Sequence, residues 1–213
     1  MSAKLLELDA QRRDAILNSA LREFTRRGYD SASTNTIAKD AGISKALMFH
    51  YVSSKQELFL AVYDFFSELI QKEYFELMDF GERDIFRRLR QSYFLQIKMS
   101  EKYPWILDLN KLSRPTKSAE VNEALKRRVH EGNTRCYPQL FDNIDETKFR
   151  RGLNVEKCKQ LIYWANVGFA DQLLERIRQQ ENPAPESAAV ISELDEYLAE
   201  LRNVFYGPGD SQD

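Results

Sequence analysis

Hydrogen-bond donors and apolar side chains lie close together in AGISKALMFHYVSSKQEL, residues 41–58. Lys45 is the long donor at the start of a predicted short helix, and an ammonium group there suits the O6 and N7 acceptors of guanine. Ala46 and Leu47 can make apolar contacts with thymine methyl groups. Such contacts would be available if this helix lies in a DNA major groove, which the helix-turn-helix pattern described below predicts.

Residues that would support catalysis or metal binding are sparse. The two histidines, His50 and His130, lie far apart, and the two cysteines, Cys136 and Cys158, form no CxxC pair. The sequence has no glycine-rich phosphate loop and no nucleophile elbow. We therefore expect no catalytic residues, no metal and no cofactor, with both thiols buried or free in a reducing compartment. A cleft holding His130, Cys136 and a carboxylate of shifted pKa would favour an enzyme instead.

Composition predicts a folded chain with a substantial core. Of its 213 residues, 43% are hydrophobic and 30% are charged, and the formal net charge is −2. This charge excludes a surface that is basic all over, but it allows one basic face. No apolar run approaches eighteen residues, and the N-terminus lacks an export signal. We expect a soluble, cytoplasmic protein with no membrane partner.

An amphipathic helix is predicted over residues 10–27. Apolar residues recur on one face at helical spacing: Ile16, Leu17, Ala20, Leu21 and Phe24. Gly28 is expected just beyond its C-terminus, because glycine adopts the left-handed conformation that ends many helices.

Two short helices follow, joined by a turn that contains glycine. The first is expected over 35–41, with Ser33 or Thr34 as N-cap and Gly42 at its end. Ser44 is expected to cap the second, which runs for about two turns. Two short helices in this arrangement are typical of a helix-turn-helix, whose second helix enters the DNA major groove.

The rest of the chain also has helical spacing. Ser53 or Ser54 is expected to cap a long helix towards Met78, with Glu57 completing a capping box. Further helices are expected over 83–101, 103–113, 119–142, 155–180 and 187–206. Because no segment of any length alternates with the period of a strand, the predicted fold class is all-α.

The stretch TNTIAKDAGISKALMFHYVSSKQEL, preceded by AILNSALREFTRRGY, resembles the DNA-binding domain of the TetR/AcrR family of transcriptional regulators. The resemblance covers about residues 11–62. It implies an N-terminal three-helix helix-turn-helix DNA-binding domain over 1–54. It also implies a larger helical ligand-binding and dimerisation domain over 55–213.

The resemblance also implies which residues contact DNA. They are Thr34, Thr36, Ser44, Lys45, Ala46, Leu47, Phe49, His50, Tyr51 and Lys55. Thr34, Ser44 and Lys55 look like phosphate contacts, and His50 and Tyr51 lie on the rim of the groove.

Two positions depart from the family pattern. Phe49 stands where the family usually has tyrosine, so one hydrogen bond to phosphate is missing. Val52 stands where phenylalanine is common. Because Lys45 is the one long donor of the base-facing turn, we expect modest base readout with a contribution from DNA shape.

In the family, the C-terminal helices enclose a small-molecule pocket. Its candidate lining residues here are Tyr93, Phe94, Trp105, Asp108, Tyr137, Phe141, Tyr163, Trp164, Asn166 and Phe169. An aromatic lining suits an apolar or planar cationic effector, with Asp108 and Asp171 as the candidate partners for a cation. The alternative for any single one of these rings, and the commoner case, is ordinary core.

Apolar stripes on the last two helices predict a homodimer. The residues assigned to the interface are Leu161, Ala165, Gly168, Val190, Leu194, Tyr197 and Leu201. Two such helices from each of two chains can form a four-helix bundle on a two-fold axis. The alternative is that these stripes lie entirely within the core of one chain.

These features predict a ligand-responsive transcriptional regulator, most often a repressor in this family. It would bind a palindromic operator in double-stranded DNA as a homodimer, and a small-molecule effector would release it. The alternative is an all-helical protein-interaction module that has lost specific DNA binding.

Overall fold

The computed structural model describes residues 3–131, 136–179 and 187–207, and most of this backbone is helical. In chain order the α-helices are α1 (Ala3–Leu6), α2 (Ala10–Ser31), α3 (Thr34–Asp40), α4 (Lys45–Tyr51), α5 (Lys55–Ile70), α6 (Ile85–Lys102), α7 (Ala119–Glu131), α8 (Cys136–Phe141), α9 (Val155–Gln179) and α10 (Ser187–Phe205). The described backbone contains no strand, only an isolated antiparallel bridge between Phe149 and Tyr206. The predicted all-α fold class is confirmed.

The chain forms two compact units, each built from separate stretches of sequence. The first comprises Met1–Glu76 and Lys102–Thr134, and the second comprises Leu77–Glu101 and Arg135–Asp213. The first unit therefore contains α1–α5 and α7, and the second contains most of α6 with α8–α10. The DNA-binding domain assigned to residues 1–54 stays a prediction.

Some helices end where the sequence predicted, and others differ from the prediction. Gly28 interrupts α2 with a φ of +71°, at the position predicted to end the first helix, and helical turns resume up to Ser31. A π-helical turn, Gln71–Phe75, follows α5. The helix predicted over 103–113 is instead a 3-10 helix, Ile106–Ser113.

The core of the first unit joins α2 to α3, α4 and α5. Its fully buried side chains include Ile16, Leu17, Leu21, Phe24, Ile37, Met48, Leu58 and Phe66. Phe59 packs edge-on against both Phe24 and Tyr29, with ring centroids 5.0 Å apart in each pair. Each large apolar side chain buried in this way contributes about 1.5–3 kcal/mol. This packing stabilises α3 and α4, because helices of seven residues are not stable alone in water.

A buried arginine organises the start of the second unit. Arg88 on α6 is fully buried, and its guanidinium donates hydrogen bonds to backbone carbonyls. The acceptors include Phe80 at 2.9 Å, Leu140 at 3.2 Å and Asp142 at 2.6 Å. Burial lowers the pKa of Arg88. These bonds tie the chain before α6 to the end of α8.

Candidate nucleic-acid interface

Two side chains define the start of α3. Ser33 is its N-cap, and the Ser33 Oγ accepts a hydrogen bond from the N–H of Thr36 at 3.3 Å. The N–H of Ser33 in turn donates to the Oε1 of Glu23 at 2.9 Å. Glu23 is buried, and its Oε1 lies 3.4 Å from the Nε of Arg27, which partners the negative charge. Of the two N-caps proposed from the sequence, the structure selects Ser33.

Glu23 positions the start of α3 but was not among the residues predicted from the sequence. A weak signal was present: Glu23 lies three residues after Ala20 and next to Phe24, beside the apolar face of α2. A carboxylate on a buried face needs partners, because an unpaired buried charge is costly. No sequence signal indicated that its partner would be the N–H of Ser33.

The turn between α3 and α4 is a Schellman motif. Gly42 has a φ of +69°, its N–H donates to the carbonyl of Lys39, and the N–H of Ile43 donates to the carbonyl of Ala38, both at 3.0 Å. These two bonds satisfy carbonyls that the end of α3 would leave unpaired. The prediction that Gly42 ends this helix is confirmed.

The cap and burial of α4 determine which of its faces points outward. Ser44 is the N-cap, as predicted, and its Oγ accepts from the N–H of Leu47 at 3.1 Å. Met48 is fully buried against the core. Lys45, Ala46 and Leu47 are exposed in the first turn of the helix. The base-facing turn proposed from the sequence is therefore accessible to a partner.

The remaining predicted DNA contacts surround this turn. His50 is exposed, and four others are half-buried: Thr34, Thr36, Phe49 and Tyr51. The Nζ of Lys45 lies 5.9 Å from the ring centroid of Phe49, within reach of a cation–π interaction. Phe49 therefore supports Lys45 even without the hydroxyl that the family usually has. Contact of these residues with DNA stays a prediction.

The N-terminus of α5 is capped as the sequence indicated, with one difference. The Oγ of Ser54 accepts from the N–H of Glu57 at 3.1 Å. The Oε2 of Glu57 accepts from the N–H of Ser53 at 2.6 Å, one residue before the position that a standard capping box uses.

Lys55 lies where α5 meets the end of α2. Its Nζ donates to the backbone carbonyl of Asp30 at 3.1 Å and lies 4.9 Å from the ring centroid of Tyr29. An ammonium group has three N–H donors, so this bond leaves donors that can reach a phosphate.

The predicted ligand-binding residues fall in both compact units. Trp105 and Asp108 belong to the first unit. The guanidinium carbon of Arg26 lies 5.8 Å from the Trp105 ring centroid, and Asp108 forms a 2.8 Å ion pair with Lys111. Asp108 already has a cationic partner inside the protein, which argues against its predicted role towards a cationic ligand.

The second unit brings together some of the other ligand candidates. The hydroxyl of Tyr93 donates to the backbone carbonyl of Asn166 at 2.9 Å, and the rings of Tyr93 and Phe169 meet edge-on at 5.9 Å. The rings of Phe141 and Tyr163 form a separate edge-on pair at 6.2 Å.

Three ligand candidates stand apart from these pairs. Phe94 and Trp164 are 46% and 57% exposed, so within the protomer they do not line an enclosed site. The side chain of Tyr137 lies outside the described residues. In the first unit, a cleft of about 220 Å³ lies between the end of α2 and the chain before α7, and no predicted ligand residue lines it.

The predicted interface residues on α9 and α10 differ in exposure. Leu161 and Gly168 are exposed, and Ala165, Val190, Tyr197 and Leu201 are half-buried. Leu194 is only 1% exposed, so its side chain packs in the core of its own protomer and not at a surface. Tyr197 stacks on Phe169 with ring centroids 4.1 Å apart. The homodimer stays a prediction.

The described residues carry few features typical of other functions. There, no group of three or more His, Cys, Asp or Glu side chains could hold a metal ion. No described helix has the length and apolarity to cross a membrane. Cys158 is a buried free thiol whose pKa is raised by burial. The side chains of His130 and Cys136, which an enzymatic cleft would need, lie outside the described part of the chain.

Comparison with known proteins agrees with this geometry. The family model "Bacterial regulatory proteins, tetR family" matches residues 16–62. "Nucleoid occlusion factor SlmA" of Vibrio campbellii (strain ATCC BAA-1116) is 25% identical over 191 residues, or 89% of this chain and 93% of that protein.

Two solved structures have a similar fold over almost their full length. The ketosteroid transcriptional regulator KstR2 of Mycobacterium tuberculosis has a TM-score of 0.61 and 19% identity, covering 95% of this chain and 98% of that chain. AibR in complex with isovaleryl coenzyme A and operator DNA has a TM-score of 0.52 and 16% identity, covering 93% and 99%.

Proposed function

Because the chain belongs to the tetR family of bacterial regulatory proteins and is a transcriptional regulator, we propose that it binds a palindromic operator as a homodimer. In this proposal α4 enters the major groove of each half-site. A small apolar or aromatic effector binds the C-terminal helices and releases the protein from DNA, so that it acts as a repressor. The effector can do so only by preferring the state that does not bind DNA.

The outward face of α4 carries this proposal. Lys45, Ala46 and Leu47 are exposed in the first turn, while Met48 on the opposite side is buried. The caps at Ser33 and Ser44 fix where both short helices begin. A recognition helix needs this combination, because its N-terminal residues must reach base edges from a rigid support.

The two predicted lysine contacts should have different effects on DNA binding. We would measure affinity by fluorescence anisotropy on a DNA fragment from the protein's own upstream region, at several salt concentrations. Lys45→Ala should weaken binding by about 1–3 kcal/mol and relax the preference at one base pair. Lys55→Ala should weaken binding evenly across sequences and lower the salt slope by about one.

Lys126→Ala is the matched control. Lys126 is exposed on α7 and forms a 2.8 Å ion pair with Glu123, and it has no role in the proposed interface. If Lys45→Ala and Lys55→Ala both bind DNA as tightly as Lys126→Ala, the interface is assigned to the wrong residues. If no small aromatic compound changes the affinity in either direction, the release step is wrong.

The similarity to SlmA supports a second candidate function. That protein is described as a nucleoid occlusion factor, and the similarity extends over 89% of the chain. In this role, α4 would bind sites distributed across the chromosome. Chromatin immunoprecipitation distinguishes the two: a few promoter sites support the regulator, and many dispersed sites support nucleoid occlusion.

A further inference from the structure

Among the described residues of the second unit, two buried side-chain atoms have no hydrogen-bond partner. They are the Oδ1 of Asn166 on α9 and the hydroxyl oxygen of Tyr197 on α10. Asn166 is only 4% exposed. A buried polar group left without a partner is unfavourable, and native proteins contain few of them. Two such groups in one unit can be satisfied by a partner from outside the chain.

Aromatic rings connect the two atoms. Phe169 lies one turn after Asn166 on α9, and its ring stacks on that of Tyr197 at 4.1 Å and 8°. Tyr93 meets Phe169 edge-on, and the Tyr93 hydroxyl donates to the backbone carbonyl of Asn166. The residues that carry the two unpartnered atoms are therefore linked through one aromatic cluster of Tyr93, Phe169 and Tyr197.

Local charge indicates what kind of group the cluster can accept. Asp195 and Arg90, near Tyr197 and Tyr93 in sequence, pair with each other through two hydrogen bonds of 2.6 and 2.9 Å. Among the described residues of the second unit, Asp84 is the buried acid, and it already pairs with Lys148 and Arg202. These ion pairs already balance the charges of Arg90, Asp195 and Asp84, so none of the three is left to pair with a charged ligand.

We propose that Asn166 and Tyr197 form the polar end of the effector site and bind a neutral hydroxyl or amide group on a planar aromatic molecule. The Tyr197 hydroxyl donates a hydrogen bond to the ligand, and the Asn166 side-chain oxygen accepts one. The aromatic rings of the cluster contact the ligand's ring, since offset and edge-on ring pairs are favourable. This assignment rests on the proposed function and specifies its effector as neutral, not cationic.

Two probes that differ by one hydroxyl test the proposal on the full-length protein. 2-Naphthol has an aromatic ring and a neutral hydroxyl, and naphthalene has the same ring without it. Isothermal titration calorimetry should show that 2-naphthol binds roughly fivefold to tenfold more tightly than naphthalene, which corresponds to the free energy of about one hydrogen bond. Asn166→Leu and Tyr197→Phe should each abolish most of this preference. Equal affinity for the two probes, or a preference that survives both variants, would overturn the assignment.

Tyr206→Phe is the matched control. The Tyr206 hydroxyl accepts from the N–H of Ile85 at 3.2 Å, so it has a partner, unlike that of Tyr197. Without ligand, Tyr206→Phe should lower the melting temperature by about 2–4 °C, while Tyr197→Phe should leave it unchanged or raise it. If Tyr197→Phe destabilises the protein as much as Tyr206→Phe does, the Tyr197 hydroxyl already has a partner and the proposal fails.

Measuring DNA binding and 2-naphthol binding on the same protein distinguishes a failure of this inference from a failure of the proposed function. If the protein binds operator DNA but shows no preference for 2-naphthol, the effector assignment alone is wrong. If it shows the preference but binds no DNA, the regulator proposal fails and the ligand site stands.

Discussion

The carboxylate of Glu23 accepts a hydrogen bond from the backbone N–H of Ser33, with Oε1 2.9 Å from the nitrogen. Ser33 is also the residue whose side chain caps α3. One buried side chain of α2 therefore fixes the residue at which the helix-turn-helix begins. Thr34 and Thr36, two of the predicted DNA contacts, follow directly on α3.

Replacing Glu23 should destabilise the start of α3. Glu23→Leu leaves the Ser33 N–H without its acceptor, at a cost of about 1–3 kcal/mol in the free energy of unfolding. Glu23→Gln keeps an amide oxygen in place and should cost less. Native-state hydrogen exchange at the Ser33 to Ile37 amides should become faster in Glu23→Leu, and DNA binding should weaken evenly across sequences. If these amides exchange as slowly in Glu23→Leu as in the wild type, the hydrogen bond between Glu23 and Ser33 does not stabilise the start of α3.

Gly42 should tolerate asparagine better than alanine. A Cβ at this position would meet no atom within 4 Å, so the cost comes from the backbone φ of +69° alone. Gly42→Ala should destabilise the protein by about 1 kcal/mol, and Gly42→Asn by less, because asparagine adopts the left-handed conformation more readily. Urea unfolding measures both. Equal losses for the two variants would contradict the backbone explanation.

Asp84 should make the stability of the protein depend on acid pH. Its burial alone would raise the pKa, but the hydrogen bond from Lys148, the charge of Arg202 and the N–H of Arg87 outweigh burial and lower it. The native state therefore favours the ionised form, and the resulting stability is complete above the ordinary carboxyl pKa of about 4. It is lost as the pH falls from there through the lower native pKa.

Asp84→Asn isolates this effect. Asparagine can still accept the N–H bond of Phe86 that Asp84 receives at 3.0 Å, but it carries no charge. The variant should be less stable at neutral pH and should lose less stability between about pH 5 and pH 3. Urea unfolding at a series of pH values gives both curves. Parallel curves for the variant and the wild type would contradict the assignment.

An acidic residue on the exposed apolar face of α9 should dissociate the proposed homodimer. Leu161 and Trp164 are 50% and 57% exposed within the protomer, and they lie on neighbouring positions of the helix. Leu161→Glu would place a charge in the interface without a partner, so sedimentation velocity should detect a monomer. Leu153→Glu, at a leucine that is 42% exposed and lies outside the helices, should remain dimeric. A dimer that persists in Leu161→Glu would place the interface elsewhere.

The helix-turn-helix could be predicted because its signals are local. Ser33, Ser44 and Ser54 each accept from an N–H three residues later. The turn at Gly42 is closed by a bond from its own N–H to the carbonyl three residues before and by one from the next N–H to the carbonyl five residues before that N–H. The sequence positions of donor and acceptor are nearly fixed in such bonds, so residue types alone identify them.

Burial in the C-terminal helices was harder to predict. Leu194 was predicted at a dimer interface because it belongs to an apolar stripe on its helix. Such a stripe has the same spacing whether it packs against a helix of the same chain or of a second chain. The aromatic residues likewise gave no indication that Phe94 and Trp164 would be exposed while Tyr93 is buried.

The sequence by itself determined the all-α fold, the caps and turn of α3 and α4, and the outward turn at Lys45, Ala46 and Leu47. Only the tertiary structure paired Glu23 with Ser33, Lys55 with the carbonyl of Asp30, and Asp84 with Lys148 and Arg202. These partners are 10 to 118 residues apart in sequence. A capping bond is set by the geometry of one helical turn, whereas a long-range bond depends on which faces the core brings together.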